Sequence, residues 1–242
     1  MKKTLLISGL FLALTASVAS AGGLNLNWNN CEIGTAPLPA KALSFACNAN
    51  TGASFVLMAS FDPNADQQCI AFEYIVDIES SGPTLPAWWD FKNAGACRAA
   101  SMSMNTNFGA TGPFDCVDPW SGSIGLQDFS YTVAGNTVRI FGFGSAPATA
   151  PVPVTAGTEY YGFALLMNRA KTAGLGACGG CLDQVAVVLN ELTLYDDQGA
   201  PHIMNGPAAV QTNCAAWQGF ANPCAATPTT KSTWGKIKSI YR

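Results

Sequence analysis

Period-2 alternation of apolar and polar residues recurs along most of this chain. It is clearest over residues 70–79. Ile70, Phe72, Tyr74, Val76 and Ile78 point one way; Ala71, Glu73, Ile75, Asp77 and Glu79 point the other. That predicts a strand with a core face and a largely wet face. Residues 129–133 and 137–143 flank Ala134-Gly135-Asn136 and predict a hairpin. Residues 160–168 and 185–195 predict two more long strands. Weaker strands are predicted over 24–28, 42–46, 54–61, 101–108 and 208–212. Residues 146–154 hold three prolines and predict an extended loop. No stretch of the body keeps a 3.6-residue period over three turns. Many short strands between frequent turn signals predict an all-β fold, a two-sheet, jelly-roll-like β-sandwich in one domain over residues 22–226.

The start of the chain departs from this pattern. Lys2 and Lys3 precede an apolar stretch over residues 5–14, and Ala19-Ser20-Ala21 is a small-residue cleavage site. These are the parts of a secretory signal peptide over residues 1–21, of bacterial type. The stretch is shorter than the roughly 20 apolar residues of a spanning helix, and no later segment is long and apolar enough to span. The expected location is therefore extracellular or at the cell surface.

Export changes how the nine cysteines read. Disulfides are the default in an oxidising compartment. Spacing suggests four local loops: Cys31–Cys47, Cys97–Cys116, Cys178–Cys181 and Cys214–Cys224. Sequence alone leaves the connectivity open. Cys69 is left over, as a buried free thiol or, alternatively, as a cysteine that pairs between molecules or exchanges with another cysteine. A redox role for Cys178-Gly179-Gly180-Cys181 would need a helix after it, and a β-branched run follows. Zinc would need a second compact ligand pair.

Charge adds an asymmetry. Only 11% of the 242 residues are charged, against about 25% in an average soluble domain. All fifteen acids lie between Glu32 and Asp197, and residues 22–230 carry a net −9. The last twelve residues carry Lys231, Lys236, Lys238 and Arg242, a net +4. An acidic body argues against nucleic acid as a partner.

Candidate chemistry is sparse. Residues 174–179 match GxGxxG but open a strand, where a dinucleotide site needs a helix. Asp62, Asn64 and Asp66 have D-x-N-x-D spacing. Gln67 at position six and the flanking strands exclude an EF-hand. They leave a looser calcium site as the metal-binding alternative to a polar turn; no other cofactor is indicated. Asp77 and Glu79 share a strand face at i, i+2, a glycosidase-like spacing that a solvated sheet face explains equally. The single histidine, His202, sits in an expected turn, and no G-x-S-x-G elbow is present. Aromatics offer more. Trp88-Trp89, Trp120 and Tyr160-Tyr161 could present rings for stacking on sugars, since successive side chains of an extended segment point to opposite sides.

The end is a spacer and tail over residues 227–242. Ser232 can cap a short helix carrying Trp234, Ile237, Ile240 and Tyr241 on roughly one side. Gly235 and the short length weaken it. The run Ser232-Thr233-Trp234-Gly235-Lys236-Ile237-Lys238-Ser239-Ile240-Tyr241-Arg242 resembles the ending of a group of exported bacterial proteins to which no activity is attached. Body phrases match as well: Gly23-Leu24-Asn25-Leu26-Asn27-Trp28, Leu85-Pro86-Ala87-Trp88-Trp89, Gly157-Thr158-Glu159-Tyr160-Tyr161 and Gly176-Ala177-Cys178-Gly179-Gly180-Cys181. The resemblance implies secretion, a β-rich body and a shared C-terminal device. Cys69 lies outside that group's pattern, which supports leaving it unpaired.

These readings converge on a non-enzymatic, exported structural or surface-associated protein. Its tail would be a sorting or docking element for a secretion or surface-attachment component. A carbohydrate-binding module, with glycans as partners, is the alternative.

Overall fold

The computed structural model describes residues 22–29, 31, 42–91, 94–108, 116–207 and 212–225. The signal segment, most of the strand expected over 208–212, and the tail lie outside them. Among the described residues twelve strands form: β1 Gly23–Trp28, β2 Ala42–Leu43, β3 Phe55–Asp62, β4 Gln67–Ser80, β5 Met102–Asn105, β6 Leu126–Ala134, β7 Thr137–Ser145, β8 Val152–Val154, β9 Tyr160–Met167, β10 Val185–Asp196, β11 Pro201–Met204 and β12 Cys214–Trp217. They build a two-sheet sandwich. One sheet has four strands in the order β1-β3-β9-β5. The other has eight: β2-β12-β10-β4-β7-β6, with β11 beside β10 and β8 beside β4. All strand pairs are antiparallel except β2 with β12.

Period-2 patterning decides which side chains meet between the layers. Leu24, Leu26 and Trp28 share one core with Phe55, Leu57 and Phe61 of their own sheet and with Phe72, Tyr74, Val76 and Ile78 of the other. In β10 the core positions are Val185, Val187 and Leu189, then Leu192 and Leu194. The skipped beat is a bulge at Asn190, where register with β4 shifts between Leu189 and Glu191. The expected β6–β7 hairpin pairs Ala134 with Thr137 across Gly135-Asn136. Gly135 alone has positive φ there, at 64°, as a type II′ turn requires. Gly142 of β7 lies opposite Tyr74, and a Cβ on it would sit 2.2 Å from the Tyr74 ring. The bare backbone makes room for the ring.

Three expectations are corrected. The proline-rich stretch 146–154 is not all loop: its end, β8, pairs with Gln67–Cys69, with Pro153 tolerated on a short edge strand. His202 lies in strand β11. The strands expected over 42–46 and 101–108 shrink to Ala42–Leu43 and Met102–Asn105.

The disulfide pairing is also corrected. The bridges are Cys31–Cys116, Cys47–Cys181, Cys97–Cys178 and Cys214–Cys224, with Cα–Cα distances of 5.2–6.0 Å. Only Cys214–Cys224 is a local loop. The other three span 81 to 134 residues. Short loops close most readily in an unfolded chain, but native pairing follows which cysteines the sheets bring together. The two cysteines of the CxxC run go to different partners. On a chain-entropy model each long loop would contribute roughly 4–5 kcal/mol.

Cys69 is free and buried, on the core side of β4. Burial, helped by Asp196, pushes its thiol from 9.0 up to about 12. A thiol kept protonated does not attack. We therefore expect no reaction of native protein with a thiol-specific chromophore at pH 8, and one thiol per chain once guanidinium is added. Rapid reaction in the native state, or more than one thiol, would contradict this pairing.

Candidate functional site

The aromatic residues proposed for sugar stacking are core residues. Trp88, Trp89 and Trp120 have no exposed surface, and Tyr161 is 2% exposed. Residues 87–89 form a 3-10 turn, not an extended segment. The two Trp rings therefore need not diverge; they meet each other and Trp217 at 5.0–5.2 Å between centroids. The Trp88 indole donates to Thr172 Oγ1 at 3.1 Å, and that of Trp120 to Gly162 O at 2.8 Å. Only Tyr160 of the set is partly exposed, and it packs on Phe61 at 5.9 Å. These five residues therefore form no exposed stacking surface.

The acidic turn is engaged by backbone. Asp62 Oδ1 accepts the amide of Gly157 and Asp66 Oδ1 that of Ala156, both at 2.8 Å. Asn64 lies against Gly22, where a Cβ would meet its Oδ1 at 2.3 Å. These residues tie three chain segments together. Among the described residues no cluster of three or more His, Cys, Asp or Glu is arranged to hold a metal.

Asp77 corrects the expectation of a wet face on β4. It is 2% exposed. Arg139 grips it through Nε and Nη2 at 2.8 and 2.6 Å, and Asn190 Nδ2 donates at 2.8 Å. The Asp77 hydrogen bonds raise the Arg139 pKa further. A carboxylate gripped in this way is a structural anchor. Both of its oxygens are taken by donors and it is closed off from solvent, so it is poorly placed to hand a proton to a substrate. Arg139 and Asn190 were missed from sequence. The one local signal was a cation inside the alternating run 137–143; its partner lies 62 residues away. His202 Nε2 sits 3.0 Å from Asp196 Oδ2, and that bond with the Ala200 and Gln198 amides holds the half-buried Asp196 carboxyl below its ordinary pKa.

Two further polar groups were not anticipated. On β1, β3 and the approach to β9, Asn25 donates to Ser60 and Glu159, and Ser60 Oγ donates to Glu159 Oε1 at 2.5 Å. On the outer face of the eight-stranded sheet, Tyr195 donates to Glu73 Oε2 at 2.9 Å. Burial raises the Glu73 pKa, Glu191 adds to the rise, and the Tyr195 bond opposes it.

Register shows the makeup of that face, because directly paired residues share a side. One row runs Cys214, Val188, Asp77, Arg139, Thr132. The next holds Glu191, Ile75, Phe141 and Ser130, and the next Ile203, Thr193, Glu73, Phe143 and Asp128. Elsewhere, a shallow depression of about 500 Å³ lies between Ser80–Thr84 and Leu182–Gln184, with Asp183 its one charged residue. It offers no acid–base pair.

No protein-family model matches the chain, and no curated protein does. Among solved structures it is similar to the second type II cohesin module of the adaptor scaffoldin ScaA from Acetivibrio cellulolyticus, at 9% identity over 80% of this chain and 95% of that one, TM-score 0.37. A cohesin module of a family 33 glycoside hydrolase from Clostridium perfringens gives 10% identity, coverage of 81% and 92%, and TM-score 0.31. A type I cohesin–dockerin complex from Clostridium thermocellum gives 10%, 81%, 93% and 0.32. Scores this low are distant likenesses; the sandwich architecture rests on the sheets themselves.

Proposed function

We propose that this chain is an exported, non-enzymatic structural or surface-associated protein whose residues 227–242 act in sorting or attachment. The disulfide network carries the reading: eight cysteines in four bridges, three of them long-range, suit an oxidising compartment outside the cytosol. The engagement of Asp62, Asp66, Asp77 and the tryptophans in the fold adds support, since the side chains that could have carried chemistry hold layers and loops together. The signal-like residues 1–21 and the basic, aromatic tail supply export and attachment.

Cell fractionation tests it. Full-length protein is expected in the surface or extracellular fraction with its N-terminus at Gly22. Deleting residues 230–242 is expected to move most of the surface-held protein to soluble fractions. Identical distributions with and without the tail would remove the attachment role, and protein retained in the cytoplasm would remove the whole reading.

A further inference from the structure

The outer face of the eight-stranded sheet mixes apolar and acidic groups. Phe141 and Phe143 are half-buried there, Ile203 is 52% exposed, and Glu73, Glu191 and Asp128 stand among them. Asp77 and Glu79 bring the carboxylates to five, and among the described residues Arg139 is the cation on this face.

The chain leaves the fold on the same side. In β12, Ala215 and Trp217 point into the core cluster. Cys214 therefore points outward, in the row of Val188 and Asp77. Cys224 is bonded to Cys214, so the 3-10 turn Pro223–Ala225 is stapled over the edge of the outer face. Residues 226–242 continue from there. Two strand spacings, about 10 Å, separate β12 from β4, and four residues along β4 from Asp77 to Glu73 add about 13 Å in the perpendicular direction. Residues 226–233 can span about 26 Å when extended.

We propose that residues 230–242 fold back onto this face of their own chain, with Lys236 and Lys238 meeting Glu73, Glu191 and Asp128, and Trp234 and Tyr241 packing on Phe141 and Phe143. Charge complementarity, a shared aromatic character and the point of exit favour this occupant. A short tether also gives the chain's own tail an effective concentration of order millimolar, ahead of a second copy in dilute solution. The inference rests on the tail being a docking element and adds that its resting dock is internal. An attachment partner would then have to displace it.

Zero-length carbodiimide cross-linking of mature full-length protein tests this, on an equal mixture of unlabelled and ¹⁵N-labelled chains. Lys236 or Lys238 is expected to join Glu73, Glu191 or Asp128 within one isotopic species, the yield falling at least ~fivefold between about 50 mM and 1 M salt as charges are screened. The body tryptophans Trp28, Trp88, Trp89, Trp120 and Trp217 are 0–3% exposed, so acrylamide quenching reports chiefly on Trp234. Quenching is expected to rise with salt, and at low salt in the Glu73→Lys, Glu191→Lys double variant. Mixed-isotope links would assign the face to a second copy and overturn the proposal. So would links confined to other carboxylates, or no link together with salt-independent quenching. Tail-dependent surface retention is a separate readout and would survive that failure.

Discussion

Trp217→Ala is expected to lower the free energy of unfolding by about 4 kcal/mol, in the upper part of the range for removing a large core side chain. Trp217 has no exposed surface and stands where the layers meet. Its ring stacks on Phe45 at 4.2 Å and receives the edges of Phe55 at 4.9 Å and Trp28 at 5.4 Å. Trp88 and Trp89 close the other sides at 5.0 and 5.2 Å. Trp28 and Phe55 belong to the four-stranded sheet and Trp217 to the eight-stranded one, so the ring joins both. Its indole N–H donates to Cys181 O at 2.7 Å, beside the Cys47–Cys181 bridge. Rings held on several sides collapse poorly into the space left, which keeps the cavity cost high. Guanidinium unfolding with disulfides intact measures the effect as a fall in midpoint at constant slope. Trp217→Phe keeps most contacts and is expected to lose less than half as much. A loss below about 1 kcal/mol for the alanine variant would mean that the rings do not bear on one another as described.

The second large effect is expected at Arg98, which is 1% exposed. Its guanidinium lies 3.8 Å from the Trp88 ring centroid and 4.8 Å from that of Phe91. Nε donates to Ala170 O at 3.0 Å, Nη1 to Trp88 O at 3.1 Å, and Nη2 to Asn168 O. Burial pulls its pKa down to about 10, with Tyr131 opposing the fall, so the group stays charged at neutral pH. Carbonyl dipoles and ring faces compensate the charge, and one side chain closes the 168–172 loop onto the Trp88 turn. Removing it leaves the buried Trp88 carbonyl short of a donor, worth about 1–3 kcal/mol, frees the carbonyls of Asn168 and Ala170 in the exposed loop, and takes a fully buried side chain from between Trp88 and Phe91. Arg98→Ala and Arg98→Met are both expected to lose about 3–5 kcal/mol. Arg98→Lys should recover only part, because one ammonium cannot reproduce the planar fork. Hydrogen exchange in residues 168–172 is expected to speed up in all three. If Met restored full stability, packing alone would explain the site and the carbonyl bonds would count for little.

The strands were legible because each had a face committed to the core. Residues 70–79, the 129–143 hairpin and the long strands ending in Met167 and Asp196 announce themselves by alternation. What sequence could not reveal is non-local. Trp88 and Trp89 look like a divergent pair only if the segment is extended, and a 3-10 turn removes that premise. Asp77 looks wet by periodicity; Arg139 across the strand pair and Asn190 at a bulge bury it. The bulge adds one residue to β10 with no local composition signal. Cysteine spacing misled for the same reason, since sheet assembly and not loop length brings Cys47 to Cys181.

That interleaved connectivity bears on how the chain matures. Threaded out from its N-terminus, Cys31 meets Cys47 long before Cys116 emerges, and Cys47 must wait for Cys181. An oxidant acting alone would trap nearest neighbours in pairs the sandwich does not use. Reaching the native set requires thiolate attack on those early bonds, through mixed intermediates. The ninth thiol is available for that attack only until β4 docks and Cys69 is sealed at 0% exposure. On the proposed export route, a compartment that reshuffles disulfides as well as forming them would favour the native set, and closure of the core would end the exchange.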